Sequence, residues 1–165
     1  METERVVGLG EVVVTDDPRL TLVVPGVGSC VIVVAYHRRA KVAGMAHIVL
    51  PSSQQFHTAA AKPLWFADIA VPHLLTQMAQ RGAVRPRCAV IGGANMLQTM
   101  QRASRTAWRN IGAMNVAAVL GALHLKAEIV AQFVGGAAGW VVRLRVADGT
   151  VTVRSGQGEV HRIAL

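Results

Sequence analysis

The chain has 165 residues, 17 Lys or Arg against 9 Asp or Glu, and an apolar share of 52%. That length fits one domain, residues 1–165 with a core of about 6–154, and that apolar content excludes a disordered chain. Two cysteines, Cys30 and Cys88, are too few for a disulfide scaffold, and an acidic start (Glu2, Glu4) with no apolar stretch is not a secretory leader, so a cytoplasmic location is expected.

In chain order, residues 6–15 are rich in valine and predict a strand, with Asp16-Asp17-Pro18 as its turn signal. Residues 20–24 predict a second short strand, and Pro25-Gly26-Val27-Gly28-Ser29 a loop. Residues 31–36 form an apolar, β-branched run, the pattern of a strand buried on both faces. The uncharged stretch 20–36 is broken by Pro25, Gly26, Gly28 and Ser29, which argues for two strands around a loop and against a membrane helix. His37-Arg38-Arg39-Ala40 turns the chain into a return strand over 41–50, closed by Pro51. Residues 52–63 read as a loop. Residues 68–81 predict a helix with Ile69, Leu74, Leu75 and Met78 as its apolar stripe, Pro72 near its first turn and Gly82 at its end. A short strand, 88–91, leads into Gly92-Gly93-Ala94-Asn95. Residues 104–110 are polar and basic, and 115–125 predict a second helix. Strands follow at 129–133, 140–146 and 150–154, with turns at Gly135-Gly136 and Asp148-Gly149, the latter a hairpin signal. The fold class is therefore α/β, with two main helices and largely antiparallel or mixed sheets.

The charge is unevenly spread. Between Pro18 and Ala127 twelve Lys or Arg face a single acid, Asp68. Such an excess is either a solvated surface or the complement of an acidic partner. Nucleic acid is not expected: the basic residues are scattered, and aromatics for base stacking are few.

The feature with most chemistry is Gly26-Val27-Gly28-Ser29-Cys30, a glycine-rich turn ahead of an apolar strand. It holds a cysteine at the mouth of a strand beside backbone N–H groups suited to an oxyanion. A free cysteine is also among the most buried residue types, so the turn alone decides nothing. His47 adds weight. If His37 pairs with Ala40 across the turn, Cys30 falls directly opposite His47 on one face of the hairpin. An imidazole beside a thiol takes its proton, and the sulfur then attacks a carbonyl or carboxamide carbon. The imidazolium protonates the leaving group. No metal is needed, because His37, His57, His73, His124 and His161 lack ligand spacing, and no cofactor is expected.

Further pieces accompany this pair: Gly44-Met45-Ala46-His47-Ile48-Val49-Leu50-Pro51, Phe66-Ala67-Asp68-Ile69-Ala70, Gly92-Gly93-Ala94-Asn95-Met96, Ile111-Gly112 with Asn115-Val116, and Gly135-Gly136. In content and order they resemble the CheD family of chemoreceptor glutamine deamidases over roughly residues 6–154. The resemblance implies a layered α/β/β sandwich, similar to the catalytic domains of bacterial deamidase toxins. It implies hydrolysis of receptor glutamine side chains to glutamate with release of ammonia, and glutamyl methyl ester hydrolysis as a further activity. Cys30 is then the nucleophile and His47 its base, with Gly28, Ser29 and Asn95 as candidates for holding substrate or oxyanion. The implied partners are the cytoplasmic regions of chemoreceptors (methyl-accepting chemotaxis proteins) and a CheC-type phosphatase, without membrane insertion. Where the family usually carries a threonine, six residues before the cysteine, this chain has Val24, so His47 either finds another orienting group, such as a backbone carbonyl or water, or stays poorly aligned. Thr21 is at an odd offset and is expected on the opposite face of its strand. Ala113, Met114, Phe133, Ala137 and Trp140 also stand at positions where the family usually has polar or charged residues. Two other readings are a weakly active or inactive CheD-like adaptor, and a Cys-His hydrolase acting on a different substrate.

Overall fold

The computed structural model describes residues 1–55, 57–95, 110–136 and 139–165. Met96, Ala137 and most of the polar stretch 104–110 lie outside these residues. Among the described residues, ten strands and two α-helices follow one another in the order β1 Thr3–Val6, β2 Val12–Thr15, β3 Leu20–Val27, β4 Val31–His37, β5 Val42–Ile48, α1 Ala67–Ala79, β6 Arg87–Gly92, α2 Ile111–Leu123, β7 Glu128–Val134, β8 Trp140–Arg145, β9 Thr150–Arg154 and β10 Val160–Ala164. One sheet has the order β1-β3-β8-β9-β10 and the other β2-β5-β4-β6-β7. Most pairs are antiparallel. β6 and β7 run parallel, as do β1 and β3, and the former pair is joined through α2, as a parallel connection requires.

Two apolar layers hold the sandwich. Between the sheets, Leu22, Val24, Val142, Leu144, Val151 and Val153 from the first pack with Ile32, Val34, Tyr36, Met45 and Ile91 from the second. On the other face of the second sheet, Val31, Val33, Ala46, Ile48 and Val90 meet Ala67, Ala70, Val71, Leu74 and Met78 of α1 and Val119 and Leu123 of α2. The architecture is the layered sandwich that the family resemblance implies, with the two helices and largely antiparallel sheets that the element pattern predicts. β4 is buried on both faces because it lies between the two layers.

Several boundaries depart from the sequence reading. The predicted strand 6–15 is two strands in different sheets, because residues 8–10 turn the chain at a left-handed Gly10 (φ 66°). A Cβ on that glycine would land on the Trp65 indole. β3 continues past Val24, with an irregularity in its pairing to β8 between Val24 and Val27. Residues Ser53–Gln55, His57–Ala60 and Pro63–Trp65 form short 3-10 turns inside the expected loop. α1 starts one residue earlier than predicted, so Pro72 is inside the helix. Its buried stripe is Ala67, Ala70, Val71, Leu74 and Met78, with Ile69 and Leu75 only half-buried. α2 begins four residues before the predicted start. β1 and β10 are sheet-edge strands, too polar and exposed to read as strands from sequence.

The hairpin register also needs correction. β4 and β5 close on His37↔Val42, not on His37 and Ala40. The four-residue turn is Arg38 to Lys41: Lys41 adopts the left-handed conformation (φ 55°), its N–H donates to the His37 carbonyl (2.8 Å), and the His37 ring Nδ1 accepts the Ala40 N–H (3.0 Å). The partner of His47 is therefore Ile32, not Cys30.

Candidate active site

A register change of two residues leaves every side chain on its original face. Cys30 therefore shares a face with His47, as one member of a diagonal pair. That face is the one between the sheets: Met45 and Ile32 belong to the inter-sheet core, and Cys30 packs against it. Cys30 is half-buried and His47 is only 6% exposed, so both sit at the rim of the inter-sheet layer. Cys88 lies on the opposite face of β6, among the residues under the helices, and burial pushes its thiol up to about 12.

Three backbone contacts fix the turn that carries Cys30. The Gly93 N–H donates to the Cys30 carbonyl (2.8 Å), and the Ala94 N–H donates to the Gly28 carbonyl (3.0 Å). The Ser29 carbonyl accepts from Nδ2 of Asn115 (3.0 Å). The close approach requires glycine at position 92, since a Cβ there would overlap the Cys30 carbonyl oxygen and crowd Val27 Cγ1 at 2.7 Å. Asn95 stands beside this turn, and its N–H donates to the Gly136 carbonyl (3.2 Å). Of the residues singled out from sequence, Gly28, Ser29, Cys30 and the Gly92-to-Asn95 turn are thus drawn together, with His47 across the face from them.

His47 is held from the other side. His47 exchanges backbone hydrogen bonds with the segment before β2: Gly10 N–H to the His47 carbonyl (2.9 Å) and His47 N–H to the Glu11 carbonyl (3.0 Å). The same turn brings the Val7 carbonyl within 3.2 Å of His47 Nδ1. A carbonyl only accepts, so Nδ1 carries the proton and the neutral ring presents Nε2 as its basic lone pair. Val24, by contrast, is an apolar member of the inter-sheet core. Thr21 faces outward, as its odd offset predicts, into a groove lined by Glu4 and Arg143.

The electrostatics favour an uncharged resting pair. Burial pushes the Cys30 thiol above the ordinary thiol value, partly offset by its own backbone N–H facing the sulfur. Burial also lowers His47 below the usual histidine value, partly offset by the hydrogen bond to Val7. Each shift disfavours the charged form in a partly desolvated site. Chemically, the arrangement offers a protonated thiol, a neutral base of fixed tautomer and a turn whose three successive carbonyls are already engaged.

Two contributors carry no assigned role in the sequence reading. The Val7 carbonyl is a backbone group and leaves no residue signature. Asn115 is a polar residue within an otherwise apolar helical segment, a signal that goes unweighed when that segment is read only for its helical spacing.

Comparison with known proteins identifies the family. Residues 49–155 match the family described as CheD chemotactic sensory transduction. A Clostridium botulinum protein named probable chemoreceptor glutamine deamidase CheD is 34% identical over 155 residues, covering 92% of this chain and 93% of its own. An Anaeromyxobacter dehalogenans protein named probable chemoreceptor glutamine deamidase CheD 2 is 37% identical over 152 residues, covering 91% and 93%. A Symbiobacterium thermophilum protein of the same name as the first is 36% identical over 157 residues, covering 93% of each. The family match begins after Cys30 and His47, but the relatives' coverage leaves too few residues unmatched at the ends for either to fall outside the aligned span. The chain belongs to the CheD family.

Proposed function

We propose that the protein is a chemoreceptor glutamine deamidase that uses Cys30 as nucleophile and His47 as general base. The observation that carries this reading is the Val7 carbonyl on His47 Nδ1, which leaves Nε2 basic on the face that Cys30 shares. Cys30 lies one residue beyond the last β4–β5 pair, and in a continuous strand pair such diagonal neighbours are about 7–8 Å apart at their backbones, a spacing that a thiol and an imidazole together span.

In the first step His47 Nε2 takes the Cys30 proton as the sulfur bonds to the side-chain carboxamide carbon of a receptor glutamine. The developing oxyanion is met by backbone N–H groups of the turn around Gly28, Ser29 and Cys30, whose carbonyls are held away by Ala94, Asn115 and Gly93. The C–N bond then breaks, the imidazolium supplies the proton, and ammonia leaves with a thioester on Cys30. Water, deprotonated by His47, adds to the thioester; the C–S bond breaks, the thiol regains its proton, and glutamate remains. Hydrolysis of a glutamyl methyl ester follows the same course with methanol as the leaving group. The basic excess over residues 18–127 suits an acidic receptor helix, and a CheC-type phosphatase is a second partner of this reading.

The test is mass spectrometry of receptor cytoplasmic fragments incubated with the protein. Wild type is expected to convert particular glutamines to glutamate, and Cys30→Ala and His47→Ala each to lose orders of magnitude in rate while keeping their fold. Undiminished deamidation by either variant overturns the assignment.

A further inference from the structure

The pairing of β4 with β5 ends at Val31↔Ile48. One step further, where Cys30 and Val49 would pair next, the two strands part. β5 leaves for the Trp65 carbonyl, to which Val49 N–H and Leu50 N–H both donate (2.9 Å each), while the other strand turns into the glycine-rich loop. The amide of Asn115 enters this gap. Its Nδ2 donates to the Ser29 carbonyl (3.0 Å) and to the Val49 carbonyl (2.9 Å), so one side chain joins the residue before Cys30 to a residue two positions after His47.

The amide orientation follows from its partners, since a flipped Asn115 would set its own oxygen against two carbonyl oxygens. Both Nδ2 protons are used. The residue is fully buried, and its Oδ1 has no partner among the described residues. An amide buried with half its capacity unmet is costly, so its presence in an apolar helix calls for a reason beyond packing. Its support is rigid. A Cβ on Gly112 would meet the Gly93 and Ala94 carbonyl oxygens, so the first turn of α2 lies directly on the turn that holds the Gly28 and Cys30 carbonyls.

We propose that Asn115 is the positioning residue of the Cys30–His47 pair: it replaces the missing rung at the mouth of the hairpin and sets the distance between nucleophile and base. The inference rests on the mechanism above. Asn115 touches neither reacting atom and acts through the Ser29 and Val49 carbonyls.

The experiment uses Asn115→Asp, which keeps the shape but turns both donors into acceptors facing carbonyls, and Asn115→Ala, which removes them. Each is compared with wild type in kcat and KM on a receptor cytoplasmic fragment, in melting temperature, and in the rate of Cys30 alkylation by iodoacetamide as a function of pH. A displacement of about 1 Å between reacting groups costs up to roughly 100-fold. The expected result is therefore a fall of about 10- to 100-fold in kcat with KM little changed, and a shifted pH midpoint of Cys30 alkylation. Variants with lowered melting temperature but wild-type kcat and alkylation profile would reduce Asn115 to a structural residue and overturn the proposal. If neither variant folds, the wild-type protein decides. The two Asn115 side-chain amide protons, followed by NMR, are expected to exchange slowly and to shift when Cys30 is alkylated; fast exchange or unmoved signals overturn the proposal. Alkylation reports on the clamp without turnover. An inactive wild type whose Cys30 responds to Asn115 substitution would refute the deamidase reading while leaving the clamp standing.

Discussion

Replacing Gly92 by alanine tests how tightly the Cys30 turn is held. Gly92 has φ 115°, a conformation that side-chain-bearing residues rarely adopt, at a cost of roughly 1–3 kcal/mol. Its Cβ would also overlap the Cys30 carbonyl oxygen and stand 2.7 Å from Val27 Cγ1. The first is backbone, itself fixed by Gly93, and cannot rotate aside. Overpacking of this kind adds about 1–3 kcal/mol. The sum, about 2–6 kcal/mol, corresponds at this chain length to a drop in melting temperature on the order of 5–20 °C. Gly158→Ala is the control: its φ is 88°, with nothing within 4 Å of the added carbon, so it bears the backbone strain alone. Differential scanning calorimetry of both variants separates strain from contact. In whatever fraction of Gly92→Ala folds, kcat is expected to fall as well, because the added methyl displaces Cys30. Equal melting temperatures for the two variants, or full activity in Gly92→Ala, would refute the claim that the close approach at position 92 seats Cys30.

Three further expectations concern the thiols and His47. Burial disfavours the Cys30 thiolate, so its alkylation is expected to climb through the alkaline range with a midpoint above that of free cysteine; a plateau at neutral pH would instead mean a preformed ion pair. Because burial also disfavours the imidazolium, His47 is neutral above its lowered value, and the acid limb of kcat/KM is expected below the usual histidine range. Brief iodoacetamide treatment is expected to modify Cys30 before Cys88, whose thiol is buried and pushed up to about 12; peptide mapping that finds Cys88 first would contradict the burial pattern.

What could be read from the sequence follows from which forces leave residue patterns. β4 is legible because burial on two faces demands an unbroken apolar run. The face shared by Cys30 and His47 is legible because strand parity survives an error of two in register. The register itself is not, because it turns on Lys41 adopting a left-handed backbone that nothing in Arg38-Arg39-Ala40-Lys41 advertises. β1 and β10 escape notice because edge strands need little apolar surface. α1 is recognisable, and Leu74 and Met78 are buried as its apolar stripe predicts, but small residues, Ala67 and Ala70, complete the face where helix and sheet approach closely, and the larger Ile69 is left at the margin. The hold on the site is the least legible part, since it is made by the Val7, Ser29 and Val49 carbonyls.

Val24 brings these strands together. On sequence alone, valine at the family's threonine position removes a hydroxyl that would steady the base, and restoring it should raise turnover if His47 is poorly aligned. The structure changes that expectation. His47 already donates Nδ1–H to the Val7 carbonyl, at the end of a turn braced by Gly10 against Trp65. Position 24 belongs to the inter-sheet core, 1% exposed and paired with Val142 across the sheet. A hydroxyl placed there would be buried in an apolar layer, and without a partner it costs about 1–3 kcal/mol. Val24→Thr is therefore expected to lower the melting temperature by several degrees and to leave kcat unimproved. Turnover and melting measured side by side on one receptor fragment test this. A variant of unchanged stability and raised kcat would mean that the Val7 carbonyl does not fix the tautomer of His47, and that the threonine hydroxyl is the better orienting group in this chain too.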